Sequence, residues 1–346
     1  MGGDLLRDGK IGIAVIGCGH WGPNHIRVFR SFPEAEVLWA IDIDESRRQR
    51  IRALFPGLPT EKDPRVVWAD PAVDAVVVAT PTKSHFELVK ASLQAGKHVL
   101  CEKPLCTAKG EGLQLAELAA AKGLLLMVGH VFLFNPGILK VKELVDAGEL
   151  GQLQYVSATR TNLGPIRSDV NAAFDLATHD VSIFNFLLGA KPELVSATGA
   201  SFLQPGVEDV VFVSLRYPGG TWANIRASWL DPKKVRQITV VGTRKMVTWD
   251  DLDLTSPVAV YDKGANAVPE YADYGEFLRV TMWDGDVLLP KIQMQEPLKN
   301  QNQYFLECLQ RGRVEKSGPD FSVEVVEVLE AIEESLRKDG APVRLT

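Results

Sequence analysis

Asp175 and His179 form a D-x-x-x-H pair near the middle of the chain. On an α-helix, residues four apart share one face, so the carboxylate is expected one turn before the imidazole. Such a carboxylate orients the ring and stabilises its protonated form, and imidazole exchanges protons near neutral pH. The pair therefore predicts general acid–base chemistry. Because an acid–base pair alone performs no reaction, the rest of the chain must supply its partner groups.

A glycine-rich turn predicts a bound dinucleotide. The motif Gly17-x-Gly19-x-x-Gly22 follows a short apolar run at 11–16 and precedes a predicted helix. In the dinucleotide-binding fold, Gly17 permits the tight turn, Gly19 lets the backbone approach a pyrophosphate, and Gly22 lets helix and strand pack closely. The helix N-terminus then favours the phosphates. A plain strand–helix turn is the alternative interpretation of the same glycines.

Asp42 closes the second predicted strand, about 20 residues beyond the glycines, as this fold requires. Its carboxylate can accept a hydrogen bond from the adenosine ribose 2′-hydroxyl and would repel a 2′-phosphate. The sequence therefore favours NAD over NADP. Arg47 and Arg48 follow closely, and they either soften this preference or are solvated charges on a helix. His20, within the turn, is expected to contact the cofactor only through its backbone.

Lys103 lies in Glu102-Lys103-Pro104, at the carboxyl end of another predicted strand. Open α/β sheets bind their ligands at this edge. Lys103 is therefore a candidate for a ligand-binding site. A surface lysine before a proline is the alternative interpretation.

The length of 346 residues exceeds one ordinary core, so the chain is predicted to form more than one domain. Residues 1–130 alternate strands and helices and predict an α/β Rossmann dinucleotide-binding domain. Residues 131–296 hold one helix, hairpin-linked strands and a helical insert at 172–188, which predicts an α+β domain with a large, mostly antiparallel, open-faced sheet. Residues 297–346 carry two closing helices.

The strands of the second domain have apolar residues on both faces. Val211, Val213 and Leu215 share one face of one strand, and Ala223 and Ile225 share one face of the next. One face of the sheet is expected to cover helices. The other predicts burial against a second copy of the chain, as a homodimer or homotetramer.

Composition excludes several classes of function. A net charge of −6 with dispersed Lys and Arg argues against nucleic acid as a partner. Four cysteines without a C-x-x-C pair indicate a reducing cytoplasm. The first residues lack an apolar signal region, and the longest apolar run is too short to span a membrane. The histidines lack metal-site spacing, so no metal is expected.

Taken together, these motifs resemble the Gfo/Idh/MocA oxidoreductases. The resemblance is carried by Gly17-x-Gly19-x-x-Gly22, Asp42, Ala79-Thr80-Pro81 with His85, Glu102-Lys103-Pro104 and Asp175-x-x-x-His179. It implies a two-domain subunit that uses NAD, with the closing helices packed back toward the first domain. It also implies dimers or tetramers, often built on the sheet of the second domain.

The resemblance also implies roles. Lys103 would hydrogen-bond the reacting hydroxyl, and His179 would take its proton as hydride passes to nicotinamide. Asp175 would orient His179 or bind a neighbouring hydroxyl. Thr80, Pro81 and His85 would line the nicotinamide end and Glu102 would reach the nicotinamide ribose, although each has an alternative role in loop or cap structure. The full cofactor set is Gly17, Gly19, His20, Trp21, Gly22, Asp42, Thr80, Pro81, His85, Glu102 and Lys103.

Within the family, the stretch 160–171 is most similar to nucleotide-sugar 3-dehydrogenases, which oxidise UDP-N-acetylglucosamine or its uronate at C3. Thr178 departs from the proline more usual in those relatives. A guanidinium in this stretch can hold a diphosphate or carboxylate, and a surface salt bridge is the alternative. The substrate-side candidates are Arg160, Asn162, Arg167, Asn171, Asp175 and His179. Competing interpretations are an inositol or free-sugar dehydrogenase, a nucleotide-sugar ketoreductase, and a non-catalytic sensor of NAD or sugar.

Overall fold

The computed structural model describes residues 10–167, 170–272 and 275–345, without the side chains of 266–279. By its internal contacts the chain forms two compact units. The first comprises the described residues up to Phe134 together with Gln295–Glu330, and the second comprises Asn135–Met294 and the residues from Ala331 onward.

The first unit is built on a six-stranded parallel sheet. Its strands are β1 (Ile11–Ile16), β2 (Ala35–Ile41), β3 (Thr60–Glu61), β4 (Ala75–Val78), β5 (His98–Glu102) and β6 (Leu126–Gly129). Its first helices are α1 (Gly22–Phe29), α2 (Glu45–Leu54), α3 (Arg65–Ala69), α4 (His85–Gln94) and α5 (Lys109–Lys122). Every residue of β1 and β4 is buried, as expected of parallel strands covered on both faces.

The strand order β3-β2-β1-β4-β5-β6 confirms the predicted Rossmann fold. The order reverses between β1 and β4, and ligands of open α/β sheets bind at the carboxyl ends of strands beside such a reversal. The glycine turn follows β1, Thr80 follows β4, and Glu102 ends β5. The parallel pairing therefore brings these segments to one edge of the sheet.

The second unit is built on a nine-stranded sheet. Its strands are β7 (Leu153–Leu163), β8 (Leu194–Ala200), β9 (Val210–Arg216), β10 (Trp222–Ser228), β11 (Leu230–Gly242), β12 (Met246–Asp250), β13 (Val258–Ala272), β14 (Gly275–Leu288) and β15 (Val343–Arg344). Their order is β14-β13-β12-β11-β7-β10-β9-β8-β15, and the β7–β10 pair is parallel while the other neighbours are antiparallel. The prediction of a large, mostly antiparallel sheet is confirmed.

One face of this sheet is buried and the other is open, which confirms the predicted open-faced sheet. The apolar residues singled out in β9 and β10 pair with each other in register and all lie on the buried face. Val211, Val213 and Ile225 are almost fully buried on the inner face. On the opposite face, Phe212 and Trp222 are each 51% exposed and Tyr155 is 44% exposed. Trp222 pairs in register with Tyr155 of β7. These three side chains are called the aromatic patch below.

Two helices complete the second unit, α6 (Pro136–Asp146) and α7 (Thr178–Leu188). Asn135 caps α6, because its Oδ1 accepts from the backbone nitrogens of Gly137 (2.8 Å) and Ile138 (3.3 Å). A five-residue π-helical turn, Ala173–Ala177, leads directly into α7. The insert at 172–188 is thus helical, but it is not one regular α-helix as predicted.

The β13–β14 hairpin was absent from the sequence prediction. Gly264 and Gly285 interrupt the alternation by which strands are recognised. The structure shows why Gly264 is tolerated: a Cβ there would lie 2.2 Å from the Trp283 ring, which covers the glycine. Residues 273 and 274, between the two strands, lie outside the described part of the chain.

The two closing helices are α8 (Pro297–Arg311) and α9 (Pro319–Arg337). α8 belongs to the first unit, and α9 contributes residues to both units. Val323 and Val326 of α9 join the core of the first sheet. Ser317 lies between the helices. Its hydroxyl donates to Val128 O (2.6 Å), and its carbonyl oxygen accepts from Val128 N (2.9 Å). These two hydrogen bonds cover the outer edge of β6. Across the described residues, no helix combines the length and apolar character needed to cross a bilayer.

Candidate active site

In the glycine turn, Gly17 and Gly22 have no room for a side chain, whereas Gly19 lies beside open space. Gly17 has a φ of +98°, and a Cβ there would lie 2.5 Å from Ala79 O. A Cβ at Gly22 would lie 2.0 Å from Gly17 O. At Gly19 the nearest atom to a Cβ would be Arg47 Nη1, at 3.8 Å. The open backbone at Gly19, beside the start of α1, fits the pyrophosphate of a dinucleotide.

The Asp42 carboxylate is fixed beside this turn. It is 6% exposed, and its Oδ2 accepts from the backbone nitrogen of Cys18 (2.7 Å) while its Oδ1 accepts from that of Asp44 (2.9 Å). Oδ1 keeps a second lone pair for a ribose hydroxyl. Arg47 Nη1 lies 3.5 Å from Asp42 Oδ2, whereas Arg48 bonds the Asp42 carbonyl oxygen and a helix carboxylate. Arg47 is therefore the arginine that faces the carboxylate.

The residues around the turn differ in exposure. His20 and Trp21 are exposed, and their rings meet edge to face at 5.2 Å. The His20 carbonyl oxygen accepts from Asn24 Nδ2 (2.9 Å), so the backbone of the turn is tied to the first turn of α1. Contact of His20 and Trp21 with the cofactor stays a prediction.

His85 links the loops that follow β4 and β5. The ring is 1% exposed, with Nδ1 2.8 Å from Pro104 O and Nε2 2.8 Å from Thr80 O. Burial lowers the pKa of His85, and the two carbonyl acceptors oppose that shift. The Thr80 hydroxyl accepts from Ser84 Oγ (2.8 Å). His85 thereby holds the backbone that follows β4, including Pro81, against the residue that follows Lys103.

Glu102 and Lys103 occupy the end of β5. Glu102 Oε1 lies 2.8 Å from His25 Nε2, and its Oε2 accepts from the backbone nitrogen of Lys103 (3.3 Å). A Cβ on Gly129 of β6 would lie 3.4 Å from the Glu102 carboxylate, which therefore lies close against the neighbouring strand. Lys103 is half-buried and precedes a cis peptide bond to Pro104. Its ammonium is near enough to His130 to lower the pKa of that ring.

The acid–base pair of the second unit spans the junction between the π-helical turn and α7. The backbone N–H of Thr178 donates to Ala173 O, five residues back, while its hydroxyl donates to Phe174 O (2.6 Å). Turns of this kind occur frequently at functional sites. Asp175 Oδ2 accepts from Trp229 Nε1 (3.1 Å), and its Oδ1 accepts from Arg167 Nη1 (3.2 Å). His179 is partly exposed in the first turn of α7.

Arg160 lies in the interior of the second unit. Its guanidinium is 2% exposed and forms three hydrogen bonds of 2.8–3.1 Å with the carboxylate of Asp180, the residue after His179. The pair joins the central strand β7 to the first turn of α7. The predicted contact of Arg160 with a substrate anion needs an accessible guanidinium, and the structure places it in the core. Its position makes it a support for α7.

The remaining substrate-side candidates are in different environments. Asn171 is 8% exposed and donates to Glu208 Oε2 (2.9 Å) and Glu333 Oε1 (3.3 Å). Asn162 donates from Nδ2 to the Gly164 carbonyl oxygen. Arg167 keeps 32% of its side chain exposed while paired with Asp175. Of Arg160 and Arg167, Arg167 is therefore the residue whose guanidinium is accessible to a ligand.

Comparison with known proteins agrees with this architecture. Residues 11–130 match the family described as the Gfo/Idh/MocA "oxidoreductase family, NAD-binding Rossmann fold", and residues 138–248 match its C-terminal domain. The chain belongs to the Gfo/Idh/MocA oxidoreductase family. Its first unit is accordingly an NAD-binding Rossmann domain, and the glycine motif is more than a plain strand–helix turn.

Curated relatives in this family differ in substrate. Inositol 2-dehydrogenase 2 of Saccharopolyspora erythraea is 33% identical over 62% of this chain and 65% of its own length. UDP-N-acetylglucosamine 3-dehydrogenase of Acidithiobacillus ferrooxidans is 29% identical over 74% of this chain and 78% of its own. The chain thus spans less than two thirds of the length of inositol 2-dehydrogenase 2. Further inositol 2-dehydrogenases, from Mycolicibacterium smegmatis and Rhodococcus erythropolis, are also similar.

A solved structure extends the similarity over the whole chain. GenD2 from gentamicin A biosynthesis, in complex with NAD, is 28% identical, with a TM-score of 0.82 over 100% of this chain and 99% of its own. A Gfo/Idh/MocA protein of the same fold thus holds NAD.

Sequence reasoning missed several residues that the structure brings to these sites. Trp229 donates to Asp175, and His25 contacts Glu102. Asn302 contacts His25 from α8. The available signal was a pair of amide side chains, Gln301 and Asn302, on the apolar stripe of a predicted helix.

The glycine turn gives a matched pair of substitutions. Gly22→Ala places a methyl group 2.0 Å from Gly17 O, so we expect loss of about 2 kcal/mol or more of unfolding free energy. Gly19→Ala meets no protein atom closer than 3.8 Å, so stability should stay within about 0.5 kcal/mol while NAD affinity falls by about tenfold or more. Thermal unfolding and NAD titration separate the two effects. Unchanged NAD affinity in Gly19→Ala would show that the pyrophosphate does not approach this backbone.

His130 predicts a loss of stability in acid. Burial, and secondly the charge of Lys103, lowers the pKa of this histidine to about 3. Below about pH 6 the unfolded chain takes up a proton that the folded His130 does not. Stability should therefore fall as pH falls, with this ring contributing about 1.4 kcal/mol per pH unit.

The substitution His130→Phe tests this contribution. It should reduce the acid slope of the free energy of unfolding by about that amount, as measured by denaturant unfolding from about pH 6 to about pH 4. The control is His20→Phe, since His20 is exposed and its removal should leave the slope unchanged. Equal slopes in wild type and His130→Phe would contradict the assignment.

Proposed function

We propose that this protein is an NAD-dependent dehydrogenase that oxidises a secondary hydroxyl of a sugar. The observation that carries the proposal is Lys103 at the carboxyl end of β5 in an NAD-binding domain, together with a partly exposed His179 on α7. Lysine and histidine supply the two functions that hydroxyl oxidation needs besides a hydride acceptor. A non-catalytic sensor on this fold would not need both residues.

The chemistry assigns each residue one task. Lys103 donates a hydrogen bond to the reacting oxygen and stabilises the negative charge that develops there. His179 accepts the hydroxyl proton, and Asp175, held by Trp229 and Arg167, stabilises the protonated ring or binds an adjacent hydroxyl. When bound, NAD supplies the acceptor for the hydride that leaves the carbon. Gly17, Gly19, Gly22 and Asp42 would hold its pyrophosphate and adenosine ribose.

For the substrate we propose C3 of a nucleotide-linked hexosamine, such as UDP-N-acetylglucosamine or its uronate. The relative from A. ferrooxidans acts on this class, and Arg167 offers an accessible guanidinium for a diphosphate or carboxylate. Inositol is the second candidate, favoured by the relative from S. erythraea. The two differ in charge, because an inositol has no anionic group for Arg167 to bind.

We also propose that the protein self-associates in a reducing cytoplasm. The aromatic patch gives the open face of the second sheet the large apolar side chains that favour burial against another copy. All four cysteines are buried free thiols, which is typical of proteins from a reducing compartment. Neither nucleic acid nor membrane is expected as a partner.

Removing Lys103 tests the mechanism. Lys103→Ala should lower kcat by about 100-fold or more while the dissociation constant for NAD changes by less than about threefold. Lys122→Ala, at the exposed end of α5, is the control and should match wild type. NADH formation and NAD titration are the measurements. Wild-type turnover by Lys103→Ala would refute the proposed role of this lysine.

Arg167 tests the substrate. UDP-N-acetylglucosamine, its uronate, dTDP-sugars, free sugars and inositols should be screened for NADH formation, and we expect turnover with the nucleotide-linked hexosamines. Arg167→Ala should then raise KM for that substrate by about tenfold or more. Lys191→Ala, a half-buried cation elsewhere in the second unit, serves as the control. Activity on inositols alone would overturn the nucleotide-sugar proposal.

The aromatic patch tests self-association. Trp222→Arg should shift the molecular mass in solution toward the monomer, because it removes a large apolar side chain and places a second positive charge beside Arg216, its partner in β9. Leu113→Arg, a similarly exposed apolar position on α5, should leave the mass unchanged. Light scattering on the eluting protein measures both. A monomeric wild type at micromolar concentration would contradict the proposal.

A further inference from the structure

A chain of buried polar side chains runs from α8 to the end of β5. Gln301 Nε2 lies 3.4 Å from Asn302 Oδ1, Asn302 Nδ2 lies 3.1 Å from His25 Nδ1, and His25 Nε2 lies 2.8 Å from Glu102 Oε1. Gln301, Asn302 and His25 are each 0% exposed. Asn302 also lies outside both stretches that match the family. All four residues belong to the first unit.

The hydrogen bonds of this chain have a defined direction. An amide nitrogen only donates, so Asn302 Nδ2 donates to His25 Nδ1, which must carry a lone pair. The ring proton therefore lies on Nε2, and that N–H donates to Glu102 Oε1. Gln301 Nε2 lies 3.4 Å from Asn302 Oδ1, a contact that supports this orientation of the Asn302 amide. The Asn302 amide and the Glu102 carboxylate thus both favour the Nε2–H tautomer of His25.

The position of the amides argues against simple core packing. Gln301 and Asn302 share the buried stripe of α8 with Leu298, Phe305 and Leu306. An amide in such a stripe costs free energy unless its groups are bonded. The bonds made here lead to the Glu102 carboxylate, whose other oxygen accepts from the backbone nitrogen of Lys103. The chain therefore ends at the two residues beside the proposed reaction.

We propose that Asn302 and His25 are positioning residues of the NAD site. By fixing the Nε2–H tautomer, they hold the Glu102 carboxylate at the end of β5, oriented to accept a hydrogen bond from a ribose hydroxyl of the cofactor. The inference rests on the part of the proposed function that assigns Glu102 to the cofactor, and it is independent of the sugar. It also makes α8 part of the cofactor site, although α8 is distant in sequence from the glycine motif.

Substitutions that keep or reverse the polarity of the bonds test the tautomer itself. His25→Gln keeps a donor toward Glu102 and an acceptor toward Asn302, whereas His25→Leu removes both. Asn302→Asp accepts from Gln301 and from Nδ1–H, so His25 becomes doubly protonated and still donates to Glu102. Asn302→Leu removes the donor to Nδ1, so the ring loses the support from α8 while the Glu102 carboxylate still requires a donor at Nε2.

The affinity of the full-length protein for NAD is the main measurement. We expect the dissociation constant to rise about tenfold in His25→Leu and Asn302→Leu, and to stay within about threefold of wild type in His25→Gln and Asn302→Asp. Asn300→Leu is the matched control on the same helix, because Asn300 donates to Phe134 O (3.1 Å) and not to His25. It should bind NAD like wild type.

Nitrogen-15 NMR of histidine provides a second readout without cofactor. His25 should carry its proton on Nε2 in wild type, keep it there in Asn302→Leu because the Glu102 carboxylate still accepts, and be doubly protonated in Asn302→Asp. If the leucine variants fail to fold by circular dichroism, the NMR state of wild type and Asn302→Asp decides the tautomer. A wild-type proton on Nδ1 would overturn the inference.

Three other outcomes would also overturn it. They are wild-type affinity in the folded leucine variants, equal losses in Asn302→Asp and Asn302→Leu, and an equal loss in Asn300→Leu. Each leaves the dehydrogenase proposal standing if wild type binds and reduces NAD. Failure of wild type to bind NAD at all would instead refute the proposed function.

Discussion

The contact between the glycine turn and the end of β4 is the constraint on which the first unit depends. A Cβ at Gly17 would lie 2.5 Å from Ala79 O, and one at Gly22 would lie 2.0 Å from Gly17 O. The turn is therefore pressed against the neighbouring strand end and against its own helix, with no space for side chains. That closeness keeps the backbone of Gly19 open and puts Asp42 within hydrogen-bond distance of Cys18 N. The positions proposed for pyrophosphate and ribose therefore follow from a packing requirement.

In the second unit, buried polar groups have a comparable role. The Arg160–Asp180 pair is almost fully buried, and removing one partner of such a pair leaves an uncompensated charge in the core. Its carboxylate belongs to the residue after His179, so the first turn of α7 is tied to the central strand β7. The π-helical turn before it places Asp175 against Trp229. Asp175 is thus held by Trp229, which follows β10. The turn of α7 that carries His179 is held instead by Arg160 of β7, through Asp180.

The two units differ in how much their sequence predicts. Buried parallel strands give continuous apolar runs, and the glycine, Asp42 and Lys103 motifs follow such runs directly, so the first unit was predicted nearly strand for strand. The second unit depends on pairings between distant strands. The parallel β7–β10 pair and the β13–β14 hairpin join segments whose local patterns are ambiguous or interrupted by glycine. Local periodicity does not contain that information.

The sequence by itself determined the family, the cofactor class and the residue types that carry the chemistry, because these depend on short motifs read within single turns and strand ends. Only the tertiary structure decided which polar side chains support them. Arg160, predicted to bind the substrate, lies in the core and pairs with Asp180 of α7. Asn302, to which the sequence assigned no role, contacts His25, which in turn contacts Glu102. The physical reason is that burial and hydrogen-bond partners are properties of strand and helix packing across long sequence separations. The D-x-x-x-H pair lies across a π–α junction, a geometry that four-residue spacing alone does not specify.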